Sequence, residues 1–293
     1  MHKDAFDIDD NLVRDLIAGQ FPDWLALPRR RVRSDGTDNV IYTLGKARCA
    51  RLPLIPSAGR SLLKEVDCLN GLPTLPLKVP HVLGMGDQTP GYPSPWAIYC
   101  WIVGDPVQPD AFQDDEQAAR DLGSFSAALH QVHLSGVPVS GAHNHFRGCP
   151  LGERDEYTRA AISALSDLYP TTAMTHVWEA ALSAPPWVAD PVLIHGDLHA
   201  GNLLQHEGKL VAVLDFGLAG RGDPAVDCIV AWSLFRGTAR TVYRNALGLD
   251  AASWDRGKGW ALSTAVIALE YYRTSNPFLA RMSRRTIEAI LEY

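Results

Sequence analysis

Apolar positions recur at two periods along the chain, and the change between them divides it. Over Asp7 to Phe21, Leu12, Val13, Leu16 and Ile17 fall on one side at helical spacing, which predicts an amphipathic helix. Val40 to Leu44 and Ala47 to Leu52, separated around Gly45, read as two strands. A helix is expected over Arg60 to Leu69. Two more strands are expected over Pro76 to Met85 and Trp96 to Val103, split by the turn-rich segment 86–95. Beyond Asp114 the helical period takes over. Leu122, Phe125, Leu129 and Val132 line one face of a helix over Asp114 to His133, and helices follow over Glu153 to Leu168 and Thr171 to Leu182. Later helices are a Pro-initiated one through Ile229, Val230, Trp232 and Leu234, one over Ala251 to Arg273, and one capped by Asn276 with Pro277 at its first position. A strand-rich first part and a helix-rich second part make an α+β chain, with the boundary at Gly104-Asp105-Pro106.

One stretch of the second part departs from the helical pattern: VLIHGDLHAGNLLQHEGKLVAVLDFGLAGRGDPAVD, from Val192 to Asp227. An apolar lead-in precedes His195-Gly196-Asp197. Asn202 to Gln205 and Leu210 to Leu214 then form the arms of a hairpin about the turn His206-Glu207-Gly208-Lys209. The hairpin brings Asn202 and Asp215 side by side. A carboxamide and a carboxylate make an oxygen corner suited to Mg²⁺, a hard cation that retains waters and is completed by phosphate oxygens. Asp197, a second carboxylate nearby, can orient and deprotonate an attacking hydroxyl. These are the parts that phosphoryl transfer from a nucleotide needs.

His-x-Asp-x4-Asn followed by Asp-Phe-Gly is the protein-kinase catalytic signature. With Gly196 in place of the usual Arg, and Gly222-Asp223-Pro224 downstream, the stretch resembles the aminoglycoside phosphotransferase family. The resemblance implies a bilobal protein-kinase-like fold, with a small β-rich N-lobe over 1–104 and a larger, mainly helical C-lobe over 105–293. It implies Asp197 as catalytic base, Asn202 and Asp215 as Mg²⁺ ligands, and ATP or GTP as co-substrate. In the N-lobe, Arg51 stands where the family carries a phosphate-binding Lys, with Glu65 as its partner. That departure exchanges a point charge for a planar fork. Gly36, Thr37 and Asp38 belong to the turn that would cover the phosphates. The Cys100 carbonyl and Ile102 amide would contact the base, with Tyr99 behind them.

For the acceptor, the resemblance points to Glu270 and Tyr271, and the carboxylates of the acidic second part add Asp223 and Asp227. Asp223 is also open to a structural role holding the catalytic loop, and Tyr271 and Tyr272 to packing in the core. His195 reads as scaffold and His199 lies near the phosphates without an assigned role. His130 and His133 read as packing or surface residues, as do His143 and His145.

Charge sharpens the acceptor question. The chain's net charge is −6, but residues 1–104 carry 12 Lys+Arg against 11 Asp+Glu, while residues 105–293 carry 15 against 22. An acidic second part favours a cationic ligand and disfavours nucleic acid, and Glu153, Asp155 and Glu156 add to its carboxylates. The expected function is therefore O-phosphorylation of an aminoglycoside, conferring resistance. The alternatives are a kinase of another hydroxylated small molecule (macrolide, sugar or amino alcohol) or a nucleotide-binding pseudokinase.

No run reaches the roughly 18 apolar residues of a membrane span, and the acidic start MHKDAFDIDD is unlike a signal peptide. Five scattered cysteines without a CxxC read as reduced thiols. A cytoplasmic monomer or homodimer, with no nucleic-acid or membrane partner, is the expectation.

Overall fold

The computed structural model describes residues 5–32, 38–108 and 111–292. They divide into two compact units, Met1–Leu72 with Val79–Val103, and Pro73–Lys78 with Gly104–Tyr293.

In the first unit, helix α1 (Asp10–Gln20) starts where the Asp9 side chain accepts from the Leu12 amide at 2.8 Å. Then come β1 (Arg29–Arg31), β2 (Asn39–Leu44), β3 (Arg48–Pro53), helix α2 (Pro56–Gly71), β4 (Val82–Gly86) and β5 (Trp96–Cys100). The strands form one antiparallel sheet in the order β1-β2-β3-β5-β4. Val40, Tyr42 and Leu44 alternate inward along β2 and share a core with Val13, Leu16 and Ile17 of α1 and with Ala50, Leu52 and Ile98. Burying each of the larger side chains contributes roughly 1.5–3 kcal/mol. The basic cluster near Arg29 is an edge strand, paired Arg29 to Leu44, and its charges guard the open edge against further pairing.

The strand expected over Pro76 to Met85 is two separate pieces. Lys78 bridges to Ala212 in the second unit, and β4 begins only at Val82. Pro76 and Pro80, which donate no backbone hydrogen bond, break the run. This is why Pro73–Lys78 belongs with the second unit.

That unit continues with β6 (Asp105–Pro106), α3 (Asp115–His130), α4 (Asp155–Ala164), α5 (Thr171–Ser183), β7 (Val192–Ile194), β8 (Leu203–His206), β9 (Lys209–Val213) and β10 (Gly220–Gly222). It ends with α6 (Ile229–Ser233), α7 (Gly237–Leu247), α8 (Ala251–Tyr272) and α9 (Pro277–Leu291). Helix α8 is buried on most sides, through Trp254, Trp260, Leu262, Val266 and Leu269, as expected of a helix packed by several neighbours. Helices α4, α5, α6 and α9 lie against it, and α3 packs on α7.

Helix α7 carries no start signal in the sequence, since it begins without a side-chain cap. The helix expected from Pro224 begins instead as a 3₁₀ turn, Pro224–Cys228. Among the described residues no helix is long and apolar enough to cross a membrane. All five cysteines are free thiols.

Candidate active site

Strand β7 delivers the catalytic stretch and is held by β10, with Ile194 opposite Gly220 and Val192 opposite Gly222. Immediately after it the chain turns at Gly196, with φ +81°. A Cβ there would stand 2.7 Å from the Leu218 carbonyl oxygen, so only glycine fits. His195 is fully buried. Its Nδ1 accepts from the Asp197 amide at 3.2 Å, which places the proton on Nε2, and Nε2 donates to the Leu214 carbonyl at 2.9 Å. Its ring packs on Phe216, with centroids 4.8 Å apart.

Asp227 ties this turn down from below. Its carboxylate accepts from the Gly196 amide (2.8 Å) and the His195 amide (3.1 Å), and lies 2.9 Å from His130 Nε2. Burial works to raise its pKa, but the His130 hydrogen bond and charge and the Gly196 amide together hold it below the ordinary carboxylate value.

Asp197 stands on this platform with its side chain 28% exposed, open enough to meet a substrate. Oδ1 lies 3.5 Å from Arg147 Nη2, and Oδ2 lies 3.5 Å from His199 Nε2 and 3.3 Å from Asn202 Nδ2. Burial opposes its ionisation, yet His199, through charge and hydrogen bond, and then Arg147 outweigh it and hold the carboxyl well below its ordinary range.

Asn202 also donates to the Asp197 carbonyl at 2.9 Å, so its amide nitrogen faces Asp197 and its oxygen faces away. The hairpin then does what its spacing predicts. Leu203 pairs with Val213, the Leu214 amide donates to the Asn202 carbonyl at 2.8 Å, and Glu207 (φ 51°) with Gly208 (φ 72°) makes the tight turn. Asp215 follows in the left-handed region at φ 62°, unusual for a residue with a side chain, and its Oδ1 accepts from the Gly217 amide at 3.3 Å. The Asn202 amide oxygen and the Asp215 carboxylate are hard oxygen donors. Among the described residues no cluster of three or more His, Cys, Asp or Glu could cage a metal alone. Two oxygen side chains fit Mg²⁺ completed by waters and phosphates.

With this geometry in place, the relatives become informative. The profile of the phosphotransferase enzyme family APH matches residues 29–260. The chain belongs to this family. A curated aminoglycoside 3'-phosphotransferase of Escherichia coli is 46% identical over 112 residues, 38% of this chain and 41% of the relative. Another, of Salmonella typhimurium, is 26% identical over 118 residues, 40% of this chain and 43% of the relative. The chain thus spans about two-fifths of the length of these curated relatives. Among solved structures, the GDP complex of wild-type aminoglycoside 2'-phosphotransferase-IIIa matches with a TM-score of 0.74 at 18% identity, over 97% of this chain and 99% of that one. Macrolide 2'-phosphotransferase MphH from Brachybacterium faecium matches with a TM-score of 0.63 at 22% identity, over 94% and 96%. At such identities the likeness shows the fold, the α+β kinase fold of the phosphotransferases.

Within this phosphotransferase-family chain the expected residues meet different fates. Asn202 hydrogen-bonds Asp197, and Asp215 follows Leu214, whose amide pairs with the Asn202 carbonyl. In the first unit, Arg51 on β3 meets Glu65 on α2, Nη1 lying 2.7 and 2.6 Å from the two carboxylate oxygens, with Glu65 fully buried. Tyr99 is buried on β5, Cys100 ends that strand, and Ile102 lies two residues beyond. Asp38 is exposed at the start of β2, while Gly36 and Thr37 lie outside the described residues.

Two acceptor assignments are corrected. Asp223 accepts from Arg256 Nε (2.7 Å) and Nη2 (3.1 Å) and from the Ala225 amide (3.0 Å), so its oxygens are spent inside the fold. Asp227 is wholly buried beneath the catalytic turn and cannot touch a soluble acceptor. The holding role considered for Asp223 is the one Asp227 performs.

Glu270 and Tyr271 are exposed on the last turn of α8. Tyr271 is 65% exposed, against the expectation of core packing, and sets its ring edge-on to Tyr272. Asp155 accepts from Trp178 Nε1 (2.6 Å) and Arg159 Nε (2.8 Å).

His130, which reads from the sequence as a packing or surface residue, is buried against Asp227, and Arg147 carries no sequence signal. For His130 the one signal was its place on the buried face of α3, beside Ser126 and Leu129.

Proposed function

We propose that this chain transfers the γ-phosphoryl group of ATP or GTP to a hydroxyl of a small molecule, with aminoglycosides as the first acceptor class. The observation that carries the reading is Asp197, partly exposed and approached at both oxygens, beside a hairpin that pairs Asn202 with Leu214, the residue before Asp215. The acceptor oxygen attacks the γ-phosphorus, the bond to the bridging oxygen of the β-phosphate breaks, and Asp197 receives the hydroxyl proton as nucleoside diphosphate departs. A carboxylate held below its ordinary pKa is a weak base at the outset. That suits a loose transition state, in which the proton moves late and positioning matters most. Asn202 and Asp215 would hold Mg²⁺, which when bound neutralises charge on the phosphates. Arg51, braced by Glu65, is the proposed phosphate contact, and the Cys100 carbonyl and Ile102 amide are the proposed base contacts, with Tyr99 behind them.

Aminoglycosides come first because the curated relatives are aminoglycoside phosphotransferases and the second part of the chain is acidic. The charge argument is narrower than composition implied. With Asp223 and Asp227 internal and Asp155 bonded, Glu153, Glu156 and Glu270 remain as the nominated carboxylates. A neutral hydroxylated acceptor such as a macrolide or sugar is therefore the second reading.

The test is nucleotide consumption with ATP and GTP across aminoglycosides, macrolides and sugars, using the wild type and Asp197→Ala. Turnover with an aminoglycoside, lost by at least about a thousandfold in the variant while nucleotide still binds, is the expected result. Wild-type turnover in Asp197→Ala would sink the mechanism. Consumption only with macrolides or sugars would move the acceptor, and none with any acceptor would favour a pseudokinase.

A further inference from the structure

Beside the catalytic turn lies a loop whose construction the proposed reaction leaves unexplained. His145 (φ 53°) and Phe146 (φ 59°) are consecutive left-handed residues that are not glycine. Such conformations cost of order 1–3 kcal/mol each and persist where surrounding contacts impose them. Here the contacts are specific. The buried Asn144 accepts from the Gly141 amide (3.0 Å) and donates to Ser140 Oγ (3.2 Å), the Arg147 carbonyl (3.0 Å) and the Leu218 carbonyl (3.3 Å). Arg154 donates to the His145 carbonyl at 3.0 Å, and the Asp223 amide to the Gly148 carbonyl at 2.8 Å.

All of this presents one side chain, Arg147. Its Cβ would lie only 3.4 Å from a Cβ at Gly196, so the loop rests directly on the catalytic turn. Its Nη2 lies 3.5 Å from Asp197 Oδ1, whereas Asn202 and His199 approach Oδ2. The carboxylate is thus restrained from two sides, which limits rotation of its plane. Nε and Nη1 of Arg147 are buried and meet no hydrogen-bond partner among the described residues. Leaving buried donors unmet costs about 1–3 kcal/mol, more for a charged group. An apolar side chain would avoid that cost, so the charge must serve at Nη2.

We infer that Arg147 is a positioning residue for Asp197, holding the carboxylate in the orientation that receives the acceptor's proton. This rests on the reading of Asp197 as the base.

The experiment compares Arg147→Met and Arg147→Lys, each alone and in the Asp197→Ala background, by steady-state kinetics and thermal melting. Arg147→Met is expected to lower kcat about 10- to 100-fold, the scale of a misplaced catalytic group, with nucleotide KM changed less than about twofold. Arg147→Lys should fall between it and wild type, and added methylguanidinium should restore part of the Met variant's turnover. In the Asp197→Ala background Arg147→Met should cost nothing further, because the residue acts through the missing carboxylate.

Wild-type kcat in Arg147→Met overturns the inference. So does the same fold loss with and without Asp197, or a folded Met variant rescued by neither Lys nor methylguanidinium. If the Met variant does not fold, Arg147→Lys decides: reduced kcat with wild-type melting supports the inference, and wild-type kcat overturns it. Failure of the base reading is separate, since it shows as turnover retained in Asp197→Ala alone.

Discussion

The turn around Asp197 and the last turn of α8 are both offered as contacts for small molecules, yet they are built on opposite principles. The catalytic turn is pinned from beneath by buried groups, with Asp227 accepting from two successive backbone amides and His195 bridging the Asp197 amide and the Leu214 carbonyl. The end of α8 presents Glu270 and a largely exposed Tyr271, which touches its neighbour Tyr272 edge-on. Buried hydrogen bonds to charged groups resist change because breaking one strands its partner without water. Exposed side chains can be exchanged at little cost to the fold. On the proposed reading the reaction is tied to the core, and acceptor choice is left at the surface.

The contrast is broken or sharpened most strongly at Asp227. Asp227→Ala strands two amides and His130, and is expected to cost about 3–5 kcal/mol. Differential scanning calorimetry should show a melting decrease on the order of 10 °C, with turnover lost. The pH dependence has a definite sign. The folded-state pKa of Asp227 is depressed, so its stabilisation is complete above the unfolded carboxylate value of about 3.9 and fades as pH falls through the lower folded value. The stability gap between wild type and Asp227→Asn should narrow in that acidic window. A gap that widened there would contradict the assigned network.

A smaller effect is expected at Arg51. Arg51→Lys keeps a charge beside the buried Glu65 but gives up the planar fork. Nucleotide KM should rise by less than about tenfold, or ~1.4 kcal/mol, with acceptor KM unchanged. A change confined to the acceptor would remove Arg51 from the nucleotide assignment. Smallest of all is Glu270→Gln, where an exposed charge should move acceptor KM about two- to fivefold and leave kcat and melting alone. A melting loss comparable to that of Asp227→Ala would abolish the distinction between the two regions.

Much of this arrangement was legible in the residues themselves because it is local. The spacing of Asp197, Asn202 and Asp215, with Gly208 in the turn, specifies a hairpin and its neighbours through backbone geometry alone. The long helix expected over Ala251 to Arg273 is observed over Ala251–Tyr272, since its apolar residues recur over several turns. The pairing of Arg51 with Glu65 is what the family resemblance implies, and the consecutive elements β3 and α2 bring the two together.

Other features were decided across distance. His130 meets Asp227 across 97 positions and Arg147 meets Asp197 across 50. Asp223 and Asp227 look like surface carboxylates in the sequence, and only their long-range partners, Arg256 for the first and the catalytic turn for the second, turn them inward. The sequence by itself determined how Asp197, Asn202 and Asp215 are spaced about a hairpin, since turn and strand preferences act over a few residues. Only the tertiary structure decided which carboxylates face outward and which are spent inside, since burial and charge pairing depend on what packs above each one.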